Sequence, residues 1–375
     1  MNESGLVLEV VHDLDRLVLL REEWNHLLAG SAGDSVYLTH EWMTTWWRHC
    51  GGTGDLFVVL VRDGGHLIGI APLMIVRDHW RGVPARYLRF VSFPLADRTD
   101  FILSRRRAAC VEALIDLFLR ESRRWDILHL TEILETSETL GCLEDSCRRR
   151  NLLLTKRLSS RPPFIRLDRD WDVIQAGFSG KFRRRLRVDR ARLVKRGQVR
   201  FERVVPRTGE VEALIRLLAQ VERRSWKGKW GVGFLTRAGQ VDFALEVSQA
   251  LAVRGSLDVA LLWLDERLIA YRFGFRYDHK FWDYNVAYDP AYEDLAPGHV
   301  LLGWLIEDSC RIGLREVDAS RATLKGHVLE QWTREARCQY DVSIFNSSLY
   351  SRALGFVDAR IKPVFRRFLR RPGSV

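Results

Sequence analysis

Cysteine is scarce in this chain, and what there is lies scattered. The 6 cysteines (Cys50, Cys110, Cys142, Cys147, Cys310 and Cys338) form no C-x-x-C pair. A disulfide frame or a zinc ribbon is therefore not expected, and a reducing compartment suits the composition. No two of the 10 histidines stand in H-x-x-x-H spacing, so no metal is expected either. G-x-S-x-G and G-x-x-x-x-G-K-[ST] are both missing, which removes the serine-hydrolase and P-loop readings. No run of 18 apolar residues occurs, so no transmembrane helix is predicted. The opening MNESGLVLEVVHDLDR has early acids, no basic segment and no small-residue cleavage site. It predicts no leader peptide and a cytoplasmic protein.

What is present is apolar and basic. Hydrophobic residues make up 47% of the 375, enough for a packed core, and the length predicts two domains. The net charge of +11 is concentrated rather than spread. Residues 181–200, KFRRRLRVDRARLVKRGQVR, carry ten Lys or Arg against the single acid Asp189. The C-terminal RIKPVFRRFLRRPGSV is a second basic patch. Such patches meet nucleic acid, anionic lipid or phosphorylated ligands, or simply form a solvated helix face.

The most informative stretch is 281–313, FWDYNVAYDPAYEDLAPGHVLLGWLIEDSCRIG. It reads as an aromatic, β-branched strand, a loop with Pro290 and Pro297-Gly298, and a helix ending at Gly313. His299, Gly303, Glu307 and Arg311 recur every four residues, predicting one wet stripe on an otherwise buried helix. A strand feeding a helix N-terminus in this way offers free amides to an anion.

Elsewhere Thr39 caps a helix from His40 to His49, with Trp42, Trp46, Trp47 and Cys50 on one face. Stacked tryptophans hold a sugar or a base in some proteins, but burial habits favour a core role here. Two hairpins echo each other: 56–61 with 66–76, and 257–264 with 267–277. Val58 and Val259 align, which suggests duplicated α/β halves joined at Arg161-Pro162-Pro163. A long basic helix is predicted over 171–196, a helix over 209–225, a glycine-rich aromatic loop over 225–237, a helix near 323–335 and a strand near 338–345.

Four segments carry a family resemblance: EWMTTWW (41–47), LIGIAPLMIV (67–76), LLWLDERLIAYRFGF (261–275) and YDPAYEDLAPGHVLLGWLIEDSCRIGLREVD (288–318). Together, over roughly residues 35–345, they resemble the FemAB-like acyltransferases of the GNAT superfamily. Within that superfamily they look like the CelD/BcsL-like acetyltransferases associated with cellulose and envelope polysaccharide synthesis.

The resemblance implies an α/β protein of two tandem GNAT-like domains, each a twisted mixed sheet flanked by helices. Residues 1–160 would be a degenerate acceptor-side domain and 161–375 the domain with the acyl-coenzyme A site. Strand 281–288, with Val286, Ala287 and Tyr288, would line the pantetheine arm. Leu295, Ala296, Pro297, Gly298, His299 and Val300 would offer amides to the diphosphate, and 315–320 would form the opposite wall. The chain departs from the family where a Q/R-x-x-G-x-G/A stretch is usual, keeping only Gly298.

Thioester acyl transfer needs an oxyanion donor, a base for the acceptor and a proton for the leaving thiolate. Asp289, Glu293 and Asp318 are the carboxylates near this stretch, and Asp318, at a strand end, is preferred as base. Asp289 before Pro290 also reads as a turn former. Tyr284 or Tyr288 would serve the thiolate, Trp226, Lys227 and Glu293 the acceptor, and Lys325 a phosphate or carboxylate. The expected reaction is acyl transfer from acetyl-coenzyme A or another acyl-coenzyme A to an amine or hydroxyl of an envelope polysaccharide precursor or small metabolite. Two alternatives stand beside it. In one the donor is an aminoacyl-tRNA, tracked by the basic helix. In the other the chain is a non-catalytic scaffold whose basic C-terminus rests on an anionic membrane.

Overall fold

The computed structural model describes residues 5–33, 35–321 and 328–368, the last nine of these as backbone only. Two mixed sheets with flanking helices make an α/β fold of two units. The first sheet is built from β1 (Leu6–Val11), β2 (Asp55–Asp63), β3 (His66–Trp80), β4 (Val83–Phe90), β5 (Ile102–Leu103), β6 (Ile127–Leu134) and β7 (Leu153–Ser160). The second has β8 (Phe164–Arg166), β9 (Val199–Val204), β10 (Leu257–Leu264), β11 (Arg267–Tyr277), β12 (Lys280–Tyr288) and β13 (Glu316–Asp318). A last strand, β14 (Gln339–Phe345), completes the chain's β structure among the described residues.

The strand order shows one crossing between the halves. The first sheet runs β1-β2-β3-β4-β6-β14-β7 and the second β8-β13-β12-β11-β10-β9. β8 follows the Arg161–Pro163 linker and pairs with β13 of the second sheet. β14 returns from the second half and inserts between β6 and β7. The expected division at 160/161 is thus crossed by β14: 339–345, placed by sequence with the second half, belongs to the first sheet.

The echo between the hairpins extends to fine geometry. The β2–β3 pair is bulged at Val61/Arg62, three residues after Val58, and the β10–β11 pair at Leu262/Trp263, three after Val259. Each sheet also has one short parallel seam of three residue pairs: Tyr87–Arg89 with Ile127–His129, and Lys280–Trp282 with Glu316–Asp318.

Strands buried on both faces lose the usual apolar–polar alternation. In β2, Leu56, Val58 and Leu60 enter one core while Phe57, Val59 and Val61 enter another. The first of these cores is shared between the units. It joins Leu17, Trp24, Trp42 and Ile70 to Leu218, Phe243, Phe273 and Trp282. Trp42 sits at its centre, edge-on to Tyr37, Phe243, Phe275 and Tyr284. The tryptophans of helix His40–Cys50 are core, as their burial habit suggested: Trp42 and Trp46 are buried.

Some expected elements come out differently. The helix predicted over 171–196 breaks into Trp171–Ala176 and Gly180–Arg196, the second capped by Ser179. The helix predicted near 323–335 lies partly outside the described residues, and its described part is a short 3-10 turn, Val328–Gln331. The loop 225–237 contains a one-turn helix, Trp226–Trp230.

The units are also locked by buried charge. Asp318, with no exposed surface, accepts from Arg98 Nη2 (2.8 Å), Arg337 Nη1 (3.0 Å) and the Ser320 amide (2.8 Å). Arg98 lies over the Trp282 ring at 4.5 Å and donates through Nε to Gln339. Gln339 in turn donates to the Asp97 carbonyl, Glu132 and Ser160. Removing one member of such a buried set leaves the others' charge uncompensated. Replacing Asp318 by Ala is expected to cost ~3–5 kcal/mol of unfolding free energy. Urea denaturation followed by tryptophan fluorescence measures this, and both units should lose stability together.

Candidate active site

The seam of the second sheet opens where its parallel pairing stops. β13 pairs with Lys280–Trp282 only, so residues 283–288 of β12 have no strand partner on that side. On its other side β12 is bulged against β11, with Phe273 opposite Asn285 but Gly274 opposite Asp283, leaving Tyr284 as the extra residue. A bulge of this kind re-aims a side chain. It needs glycine at 274, because a Cβ there would collide with the Trp282 carbonyl and the Phe281 ring.

At the far end of β12 stands helix Pro297–Arg311. Its first turn is already partly satisfied. The amides of His299 and Val300 both point to the Ala296 carbonyl, the Ala296 amide points to Glu293, and Pro297 has none. Gly298 keeps an amide with no backbone partner, and the Tyr288 ring lies 3.6 Å from where its Cβ would be. Below it, Arg272 and Asp283 form a buried ion pair, and Arg272 Nη2 reaches the Gly298 carbonyl at 3.4 Å. Arg272 Nε, Asp283 Oδ1 and His299 Nε2 are buried without partners.

The stripe His299, Gly303, Glu307, Arg311 was expected to face water. Instead the basic helix Gly180–Arg196 covers most of it. His299 is buried with Nδ1 3.1 Å from Asp189, its ring packed on Phe182 and Trp332, and burial lowers its pKa. Gly303 lies against Trp332, and Glu307 pairs with Arg190 at 3.0 Å. Only Arg311 stays exposed. The polar stripe and the inward-facing residues of the basic helix satisfy each other.

The other carboxylates have partners of their own. Asp289 is buried, accepts from the Ala291 amide and is paired with Arg224 and Arg267, each at 2.9 Å. Asp318 is held in the arginine clamp. Both are buried within ion pairs. Glu293 is exposed in the turn before the helix. Trp226 is exposed, whereas Lys227 reaches in to Asn285 Oδ1, with its pKa lowered by burial. Asn285 donates to Glu222 and to Tyr271, and Glu222 accepts from the Leu235 amide (2.8 Å) and Thr236 (3.0 Å), tying down the loop 225–237. Val286 and Tyr288 are half-buried on β12, and Ala287 and Leu295 are buried. Lys325 lies outside the described residues.

Sequence reasoning missed a cleft of about 530 Å³ between the units. Tyr284 lines it from β12, and Asp97, Ser159, Arg237 and Arg321 face it from other segments. The Tyr284 hydroxyl donates to the Leu95 carbonyl at 2.9 Å, and burial keeps it protonated far above the usual tyrosine range. Burial pushes the Asp97 carboxyl from 3.8 up to about 7, with Arg321 opposing the shift. The Tyr37 hydroxyl lies between Ser320 Oγ (3.0 Å) and Asp97 Oδ2 (3.4 Å). A carboxyl that titrates near neutrality beside a protonated phenol is the pairing that proton-transfer chemistry requires. Asp97 sits in FPLADRTD, which has no pattern marking it; its partners come from 60 to more than 200 residues away.

Residues 180–327 match the family model of the acetyltransferase (GNAT) domain. No curated protein matches the chain by sequence. Among solved structures, FemX is similar over 92% of this chain and 100% of its own, with a TM-score of 0.62 at 11% identity. The C-terminal domain (DUF2156) of a putative lysylphosphatidylglycerol synthetase from Agrobacterium fabrum is similar over 93% and 97%, with a TM-score of 0.55 at 14% identity. L-PGS from Bacillus licheniformis follows at 90% and 96%, TM-score 0.53 and 14% identity. Likeness at such identity is likeness of fold. Residues 180–327 thus match a GNAT acetyltransferase domain, and the chain as a whole shares the fold of FemX.

Asp97 also has a signature in stability. Its carboxyl binds a proton more tightly folded than unfolded, so stability is fully present below about pH 4 and is lost as pH rises through about 7. Asp97→Asn removes that dependence. Its melting temperature relative to the unmodified protein should rise between pH 5 and pH 8, as scanning calorimetry at both values would show.

Proposed function

We propose that the chain transfers an acyl group from acyl-coenzyme A to an amine or hydroxyl acceptor, working in the cytoplasm. The acceptor is a precursor of an envelope polysaccharide or a small metabolite. The observation that carries this reading is the unpaired edge 283–288 of β12, which leads from the interunit cleft to the one unbonded amide at Gly298. Such a donor has an amide-bearing arm and a diphosphate, and an open strand edge beside a helix N-terminus suits both. Its thioester supplies an activated carbonyl and a thiolate leaving group. Within the cleft Asp97 takes the acceptor proton, and Tyr284 Oη holds the proton that neutralises the leaving group. Arg272, buried beneath the helix start and paired with Asp283, keeps its Nε without a partner there.

Two measurements test this. Calorimetry with acetyl-coenzyme A and longer acyl-coenzymes A should register binding; silence with all of them at millimolar concentration sinks the reading. Gly298→Ala should act with opposite signs on two properties. It should stabilise the helix by ~0.5–1 kcal/mol, because its Cβ would make only an ordinary contact with Tyr288. Donor affinity should fall, because the methyl group crowds the free amide. In turnover with a bound acceptor, kcat/KM should rise with pH up to about 7 and then level off, and Asp97→Asn should abolish that limb.

A second reading takes the acyl group from an aminoacyl-tRNA. It is favoured by the outer face of helix Gly180–Arg196, where Lys181, Arg183, Arg184, Arg187, Lys195 and Arg196 are exposed and have no ion-pair partner among the described residues. Over 17 residues this is a basic face about 25 Å long. Filter binding to tRNA should be strong at low salt, fall steeply with added salt and weaken in Arg183→Ala/Arg184→Ala/Arg187→Ala. No retention at low salt removes this version. No described helix is long and apolar enough to cross a membrane. The basic residues of the C-terminal segment lie beyond the described side chains, and contact with an anionic membrane remains a proposal for vesicle sedimentation.

A further inference from the structure

Two cavities meet along the boundary between the units. The first is the cleft of Asp97 and Tyr284. The second, about 400 Å³, continues past Trp46, Arg89 and Phe93. Pro94, Leu95, Arg237 and Gln240 line both, so the two form one trough.

The cations along this trough differ in one respect. Arg321 is paired with Glu132 at 3.0 Å and Arg89 with Asp78 at 3.4 Å. Arg237 stands at the junction with no hydrogen-bond or ion-pair partner for its side chain among the described residues. The stretch that carries it is held at its base by Glu222 through Leu235 and Thr236. The guanidinium is thus positioned without being neutralised. Deeper in the second cavity, the buried Trp46 Nε1 and the Arg89 Nε also lack acceptors. Those two nitrogens are closed off from the trough, whereas Arg237 is exposed in it, and an anionic group there would pair with it.

We propose that the trough holds an extended acceptor whose anionic group, a carboxylate or a phosphate, is paired by Arg237. The reactive amine or hydroxyl lies on the Asp97 side and the rest of the molecule runs toward Trp46 and Arg89. This rests on the acyl-transfer reading for the chemistry at Asp97 but not for the binding itself.

The test is calorimetry of the full chain with glucosamine, glucosamine 6-phosphate and glucosaminic acid, which differ in their anionic group. At least one anionic probe is expected to bind about tenfold more tightly than glucosamine, and the better of the two tells phosphate from carboxylate. Arg237→Gln should erase the preference and Arg237→Lys should keep part of it. Arg237 is exposed, so both variants should melt like the parent by circular dichroism. Equal binding of the three probes, no binding of any at millimolar concentration, or a preference that survives Arg237→Gln overturns the proposal. If the Arg237-dependent preference is present but no acetyl group is transferred to any probe, the acyl-transfer reading fails while this one stands. Transfer that is indifferent to the anionic group gives the converse.

Discussion

The single group on which the rest depends is the Asp318 carboxylate. It has no exposed surface and is held between two guanidinium groups, one 220 residues earlier in the chain and one 19 later. Arg98 comes from the loop that carries Asp97, and Arg337 from the segment that leads β14 back to the first sheet. A charge buried this deeply is tolerated only when its partners are fixed, and those partners fix the two sheets against each other. The clamp also sets the cleft. Arg98 adjoins Asp97 in sequence, rests on Trp282 of the seam strand, and is tied through Gln339 to Glu132 and Ser160. The backbone works in the same direction: β14 comes from the second half and completes the first sheet, so the boundary holding the cleft is crossed by backbone as well as by side chains.

Charge shapes the second unit as strongly as apolar packing does. A helix with ten basic residues in and after it would be a poor candidate for burial by composition alone. Yet Leu186 and Leu193 are buried, and Asp189 and Arg190 meet the polar stripe of the helix after β12. The positive charge left over points outward. One consequence is that the start of that helix, a natural anion site in isolation, has a roof of protein over His299 and a single free amide at Gly298. Any donor anion there depends on side-chain charge as well as on the helix end.

The two units carry the same plan with different fates. Their hairpins are bulged at equivalent positions, and each sheet splits along a parallel seam of three residue pairs. In the first unit the corresponding helix begins after Ser104-Arg105-Arg106, with Arg106 in the left-handed region and no side-chain cap. Its Arg107 is spent on Glu138. The second unit retains the open strand edge, and the first supplies Asp97 and one wall of the trough.

Much of the local structure was legible in the residues. Alternation and turn chemistry marked both hairpins, β-branched and aromatic residues marked β12, and Pro297-Gly298 marked the helix start, because these signals act within a few residues. The tryptophans of helix His40–Cys50 could be assigned to the core for the same reason. What the sequence alone could not reach depends on pairs 19 to 242 residues apart. Asp318 looked like a free strand-end carboxylate until Arg98 and Arg337 closed on it, and His299 looked wet until a helix 110 positions earlier covered it. Asp97 gains its raised pKa from burial between segments, which no spacing encodes. Short-range sterics and periodicity thus determined the elements. Only the tertiary structure decided which polar groups were neutralised and which were left to meet a ligand, because desolvation and charge pairing belong to neighbours in space and not in sequence.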